Sequence, residues 1–322
     1  MATNKNMNKA KDEQNDEYYT RLVDIENELK HYRSHLSGKV IYCNCDDPEW
    51  SNFWNYFKLN FEFLGIKKLV ATHYDKVEST YKLEYDGADT VKTPLVGNGD
   101  FRNQECIDLL QEADIVITNP PFSLFRDYMA QLIEYNKSFL IVGPSTAIHY
   151  KEIFPLLKEN KVWIGYKSMT SDMLFNVSDE FAEWLVQNKK KGSGYKIIDG
   201  EIKGRSQCIW YTNLDITKRH EEFLAFKPYD PAIYPTYSNF DGIDVKSVND
   251  IPIDYDGYMG VPDSFMDVYN PEQYELCGMS TGDTAKQIGV QKNYRGRTDL
   301  AFKDPVTGKD KCPFSRIIIR RK

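Results

Sequence analysis

The sequence predicts an α/β fold: a doubly wound, mostly parallel sheet followed by a smaller C-terminal region. Two observations carry this. Short apolar runs at Val40–Cys43, Leu69–Thr72, Ile115–Thr118 and Ser138–Val142 alternate with helical patterns, the spacing of βαβ units. Near Phe226 the composition then shifts to Asp, Tyr, Pro and Gly, as in Tyr229-Asp230-Pro231 and Asp254-Tyr255-Asp256-Gly257. A chain of 322 residues suits about two domains at ~150 residues each. The boundaries read from sequence are a disordered tail over 1–15, a larger domain over 16–225 and a second region over 226–322.

Taken in order, Leu22, Ile25, Leu29, Tyr32 and Leu36 give a helix stopped by Gly38. From the residues alone, Tyr18-Tyr19-Thr20 before it reads as a helix start with an aromatic staple and a cap. The Val40–Cys43 strand ends at Cys45-Asp46-Asp47-Pro48, and Ser51 caps the next helix, which Gly65 stops. Leu69–Thr72 ends near His73, Tyr74 and Asp75. Tyr81, Leu83 and Tyr85 alternate and predict a hairpin arm with Val91–Leu95. After Gly97-Asn98-Gly99-Asp100-Phe101 comes a short helix through Cys106 and Leu110, then Ile115–Thr118. Ser123 is read as the N-cap of a helix carrying Phe125, Tyr128, Met129 and Leu132. Beyond Pro144 the regularity fades, leaving helices near Tyr150–Leu157 and Glu180–Gln187 and strands near Gln207–Thr212 and Arg316–Arg321.

Composition narrows the function classes. No apolar run approaches the ~18 residues of a membrane span, and the polar start is no signal peptide, so a cytoplasmic protein is expected. The six cysteines lack the paired spacing of a zinc site or disulfide framework, and no metal is expected. A net charge of −7 argues against a general polycation, yet Lys286–Lys322 holds eleven Lys/Arg against three Asp. Such a local face, not the total, governs attraction to phosphates. The chain has no Gly-x-Gly-x-x-Gly after a strand, which argues against a dinucleotide-binding dehydrogenase, and no phosphate-binding Gly-Lys-Ser/Thr loop.

The stretch richest in chemistry is Thr118-Asn119-Pro120-Pro121-Phe122. It places an amide, two stiff prolines and an aromatic at a strand's carboxyl end, where open α/β sheets bind ligands. The Asn119 side-chain oxygen and the Pro120 carbonyl suit the two hydrogens of an exocyclic base amine, whose lone pair they would localise. Pro121 would hold the geometry and Phe122 would stack on the base, worth roughly 1–3 kcal/mol. No titrating base is needed. Acidic strand ends at Asp46, Asp47, Asp75 and Asp100, with Cys45 and Phe101 beside them, meet the needs of an adenosyl cofactor: acceptors for ammonium, ribose hydroxyls and adenine amine, and an apolar slot.

Asn119–Phe122 resembles the Asn-Pro-Pro-aromatic signature of S-adenosylmethionine-dependent amino methyltransferases. More widely, the chain resembles the EcoRI-type adenine-specific DNA methyltransferase family. The likeness runs through Asp16-Glu17-Tyr18-Tyr19-Thr20, Cys43-Asn44-Cys45-Asp46-Asp47-Pro48, Gly99-Asp100-Phe101, Thr118–Arg126, Trp210–Leu214, Asp254–Gly257 and Met259–Pro262. The resemblance implies a Rossmann-like methyltransferase domain, S-adenosylmethionine as cofactor, double-stranded DNA as partner and a C-terminal target-recognition region. A monomer is expected. Carried over by position, Tyr19 and Thr20 border the methionine part of the cofactor, with Asp46 and Asp47 near its ammonium. Asp75 serves its ribose, and Asp100 and Phe101 its adenine. Asn119, Pro120, Pro121 and Phe122 form the catalytic tetrad. Two rival readings remain: the same chemistry on RNA or a protein glutamine, and a catalytically silent DNA-binding protein.

Overall fold

A computed structural model describes residues 18–45, 47–75, 79–304 and 306–322. The expected tail over 1–15, the motif residues Asp16 and Glu17, and the cofactor candidate Asp46 lie outside the described residues. Contacts divide the chain into two units: residues 1–146, 164–167 and 171–214 form the first, and residues 147–163, 168–170 and 215–322 the second. The composition change near Phe226 falls inside the second unit.

The first unit is built on a mixed sheet. Its β-branched runs become the strands β2 (Val40–Cys43), β3 (Lys68–Thr72), β6 (Ile115–Thr118) and β7 (Ser138–Pro144), buried almost throughout. They lie parallel in the order β3-β2-β6-β7, with Tyr42 opposite both Val70 and Val116. Outside β3 the predicted hairpin is present as β4 (Tyr81–Tyr85) and β5 (Thr90–Pro94), both antiparallel. On the far side β12 (Cys208–Thr212) pairs antiparallel with β7, and the two-residue β8 (Trp163–Ile164) lies next to it. The sheet is therefore parallel only at its centre. From β2 the chain moves outward to β3, then returns to the other flank of β2 as β6. Strand order reverses at β2, so the carboxyl ends of β2 and β6 flank the crevice where such sheets take ligands.

The helices between follow their signals. Ser51 Oγ accepts the Phe53 N–H at the start of Asn52–Leu59, and Gly65, at φ 64°, closes Phe61–Leu64 in the left-handed conformation. Two expectations need correction. The helix read as continuous to Leu36 is broken into Leu22–Leu29 and Arg33–Leu36; Tyr32, fully buried at the break, gives its hydroxyl to Glu28 at 3.0 Å. Ser123 lies inside a turn rather than at the N-cap position of the helix after the prolines. The Leu124 N–H bonds the Pro121 carbonyl at 2.9 Å, so Phe122–Leu124 form a 3₁₀ turn and the helix runs Phe125–Glu134 with Leu124 at its cap.

Four further strands form an antiparallel sheet: β1 (Tyr19–Thr20), β9 (Met173–Asn176), β10 (Tyr195–Ile198) and β11 (Glu201–Ser206), in the order β1-β9-β11-β10. Tyr19-Thr20 is thus a strand rather than a helix start. The helix Asp179–Asn188 is capped by Ser178 and packs on this sheet through Phe181 and Leu185.

In the second unit, β13 (Gly242–Asp244), β14 (Tyr258–Val261), β15 (Tyr274–Met279) and β18 (Ile317–Arg321) order as β13-β14-β18-β15. The Ile317–Ile319 run is fully interior. The helix Phe154–Lys158 lies against β15, where the Lys158 ammonium donates to the Cys277 carbonyl at 2.9 Å. The helix Gly282–Gln287 packs on the same strand, and β16 (Phe302–Lys303) with β17 (Asp310–Lys311) forms a small hairpin. No helix among the described residues is long and apolar enough to cross a membrane.

Candidate active site

The strand ends of the first unit bring most of the sequence candidates together. Asn119, the residue after β6, is 6% exposed. Its amide nitrogen donates to the Tyr18 carbonyl at 2.5 Å. A carbonyl can only accept, so this contact fixes the amide's orientation and turns Oδ1 the other way. That oxygen is buried and has no hydrogen-bond partner. Pro120 is buried behind it, Pro121 is half-buried, and the Phe122 ring lies near-parallel to Tyr18, centroids 6.1 Å apart. Tyr18 in turn packs edge-on against Phe175 and Phe181. The Asn52 amide donates to the Thr20 carbonyl at 2.8 Å, holding β1 from the other side.

At the end of β2, Asn44 is buried and accepts the Tyr128 hydroxyl; the half-buried Cys45 thiol reaches the same oxygen at 3.6 Å. Asp47 accepts from the Glu49 N–H at 2.9 Å and the Tyr81 hydroxyl at 3.3 Å, and lies 3.8 Å from His73. Beyond β3, the Asp75 N–H bonds the Asn98 carbonyl at 3.2 Å, joining that strand end to the Gly97–Phe101 loop. Gly99, at φ 75°, lies so close to His73 that a Cβ there would collide with the His73 carbonyl oxygen. Asp100 is held by the Arg102 guanidinium at 2.8 and 2.6 Å and by the Arg102 N–H. Those bonds keep its carboxyl below the usual carboxylate range, against the opposing effect of burial. Phe101 packs its ring edge-to-face on Tyr128, and its carbonyl accepts from Gln131 at 3.0 Å.

The sequence reading gave no site role to Tyr18, Asn44, Asn52, Tyr128 or Gln131. Tyr18, Asn44 and Asn52 stand within or beside the stretches that carry the resemblance, and Gln131 is a polar residue within the apolar face of its helix. Five side chains here, four buried and His73 half-buried, keep a buried atom without a hydrogen-bond partner: Thr20 Oγ1, His73 Nδ1, Thr118 Oγ1, Asn119 Oδ1 and Gln131 Oε1. Buried polar atoms are normally paired, so these five are the candidates to meet a ligand or water. Among the described residues no group of three or more His, Cys, Asp or Glu could hold a metal ion, and no disulfide joins any of the six cysteines. Burial pushes the Cys106 thiol up to about 11, leaving it protonated at neutral pH.

The family described as adenine-specific methyltransferase EcoRI matches residues 6–322. The chain belongs to this EcoRI-type family. It is 40% identical to the type II methyltransferase M.EcoRI of Escherichia coli, over all of this chain and 98% of that one. It is 36% identical to the type II methyltransferase M.MpnI of Mycoplasma pneumoniae, over 98% of each, and 35% identical to M.MgeORF184P of Mycoplasma genitalium, again over 98% of each. No solved structure gives a significant match. Membership covers the α/β unit and the second unit alike.

Proposed function

We infer that this EcoRI-type methyltransferase transfers a methyl group from S-adenosylmethionine to the exocyclic N6 amine of an adenine flipped out of double-stranded DNA. The observation that carries the reading is the Asn119 amide: tied to the Tyr18 carbonyl through nitrogen, it offers an unpaired, buried oxygen at the switch point of the sheet. The names of the relatives, type II methyltransferases, point to DNA as the substrate.

The donor set fits the cofactor. Thr20 Oγ1 and Thr118 Oγ1 are unpaired, and Asp47, Asp75 and Asp100 end successive loops as acceptors, each carboxylate having about four lone-pair sites. Tyr19, Thr20, Cys45, Asp46 and Asp47 would border the methionine part, Asp75 the ribose, and Asp100 and Phe101 the adenine. When bound, S-adenosylmethionine supplies an electrophilic methyl on a sulfonium. Asn119 Oδ1 and the Pro120 carbonyl accept the two amine hydrogens and localise the nitrogen lone pair. Pro121 holds that lip rigid, and Phe122 stacks on the base, offsetting part of the few kcal/mol that flipping requires. The rate gain comes from alignment of amine and methyl, and the surplus proton passes to solvent afterwards. The C-terminal region reads the target sequence.

Incubating the protein with methyl-labelled cofactor and duplex DNA, RNA or total protein tests this, followed by mapping of modified adenines. Label confined to N6 of adenine at one duplex sequence is expected. Label in RNA or on glutamine alone overturns the DNA assignment.

A further inference from the structure

The structure sorts the cations of the basic C-terminal stretch. Arg316 is buried and donates to Asp244 at 3.0 Å, Arg320 pairs with Glu275 at 2.8 Å, and Arg321 donates to the Pro252 carbonyl at 2.9 Å. Lys292, Arg295, Arg297, Lys303 and Lys309 remain exposed. Among them stand two exposed aromatics, Tyr294 at 49% and Phe314 at 89%.

A single exposed aromatic ordinarily needs no explanation. Phe314 differs because the chain is pinned on both sides of it. Before it, the buried Asn293 amide donates to the Cys312 thiol at 3.4 Å, while its oxygen accepts the Arg295 and Arg297 N–H groups at 2.8 and 3.3 Å. Cys312 is thereby joined to the cationic loop. After it, the Ser315 hydroxyl meets His149 Nδ1 at 3.2 Å, and His149 Nε2 meets Asp263 at 2.8 Å. Arg316 then exchanges two backbone bonds with Ser280, one to its hydroxyl at 2.9 Å and one from its N–H at 2.8 Å. A bare phenylalanine next to Pro313, held outward on an anchored turn beside exposed cations, has the chemistry of a wedge for stacked bases.

We propose that Phe314 inserts between base pairs of bound duplex DNA while Arg295, Arg297, Lys303 and Lys309 neutralise flanking phosphates. This rests on the DNA reading above and names the contact that deforms the duplex. Phosphate contacts set the salt dependence of binding, whereas a wedge contributes affinity without it.

The test uses a fluorescein-labelled duplex carrying the mapped methylation sequence, and a closed-circular plasmid carrying the same sequence that is relaxed by topoisomerase I with the protein bound. Phe314→Ala is expected to weaken duplex binding about tenfold to a hundredfold at every salt concentration. It should also abolish the change in plasmid linking number that the wild type produces. Phe314→Trp should restore both. The double variant Arg295→Ala/Arg297→Ala should lower the slope of log affinity against log salt by about 2. Unchanged affinity in Phe314→Ala overturns the proposal, as does weakened affinity with an unchanged linking number. So does a lowered melting temperature of Phe314→Ala, which would make the ring a packing contact. A wild type that methylates no DNA defeats the functional reading instead; one that methylates while Phe314→Ala matches it defeats the wedge alone.

Discussion

The Asn119 amide gives its nitrogen to the Tyr18 carbonyl and keeps a buried oxygen without a hydrogen-bond partner, the atom that the proposed reaction assigns to the substrate amine. Asn119→Ala removes an acceptor aimed at developing charge and should lower kcat by about 10²–10³ or more, read by labelled methyl incorporation, while calorimetry finds cofactor binding intact. Loss of cofactor affinity instead would put Asn119 on the wrong ligand. Phe122→Ala should raise KM for DNA about tenfold and leave cofactor affinity alone; a full-rate variant with unchanged KM would remove the stacking role. Asp100 gives a pH signature. Its folded pKa is depressed, first by the hydrogen bonds from Arg102, so the stabilisation is present above the unfolded value of about 4 and is lost as pH falls through the folded value. Arg102→Ala raises the folded value, and the acid loss of cofactor binding should then begin at higher pH. Titrating binding from pH 6 downward checks this, and superimposable curves would exclude the ion pair. The strand end at residues 119 and 120 was legible because strand, proline and helix signals converge there. Tyr18 was not, since its carbonyl reaches Asn119 across 101 positions of sequence.

One element, the helix Phe125–Glu134, ties the parts of the site to each other. It begins just after the proline lip, and it sends Tyr128 to Asn44 at the end of β2 and Gln131 to the Phe101 carbonyl. Tyr128→Phe deletes one buried hydrogen bond, worth about 1 kcal/mol, and keeps the ring. A several-fold loss of cofactor affinity at unchanged fold is expected by calorimetry, and wild-type affinity would show that the helix does not set the cofactor side. Gly99→Ala forces both a left-handed alanine and a collision with His73. A destabilisation of about 1–3 kcal/mol in denaturant titrations should follow, and an unaffected midpoint would mean the loop yields freely. Elements with a strong period were readable: four buried parallel strands, the β4–β5 hairpin, and the Ser51 and Gly65 helix ends. The sheet of β1, β9, β10 and β11 was not. Glu201–Ser206 reads Glu-Ile-Lys-Gly-Arg-Ser, largely polar and partly exposed, and β1 has two residues, too few to show an alternation. Ser123 falls inside the turn that the Leu124 N–H closes on the Pro121 carbonyl, so the helix begins one residue later than the cap reading places it.

The chain as a whole does not divide at one cut, because residues 147–163 and 168–170 cluster with 215–322. Composition cannot reveal this, since Tyr150–Leu157 reads as an ordinary helix following the last parallel strand. A fragment of residues 1–214 would uncover Ile153, Phe154 and Leu157, each worth about 1.5–3 kcal/mol of burial. Gel filtration and circular dichroism should find it aggregated or melting well below the intact protein. A monomeric fragment with a sharp transition would mean that the early segment needs no later partner.

β18 occupies the middle of its sheet, bonded to β14 on one side and β15 on the other, yet it follows both in sequence. On a translating ribosome its neighbours therefore emerge with a vacancy between them that lasts on the order of 2–10 s at ordinary elongation speeds. During that interval two unguarded backbone rows face solvent, open to pairing with any passing extended chain. Synthesis tempo and chaperone supply should accordingly govern the yield of active enzyme more than the stability of the finished molecule does.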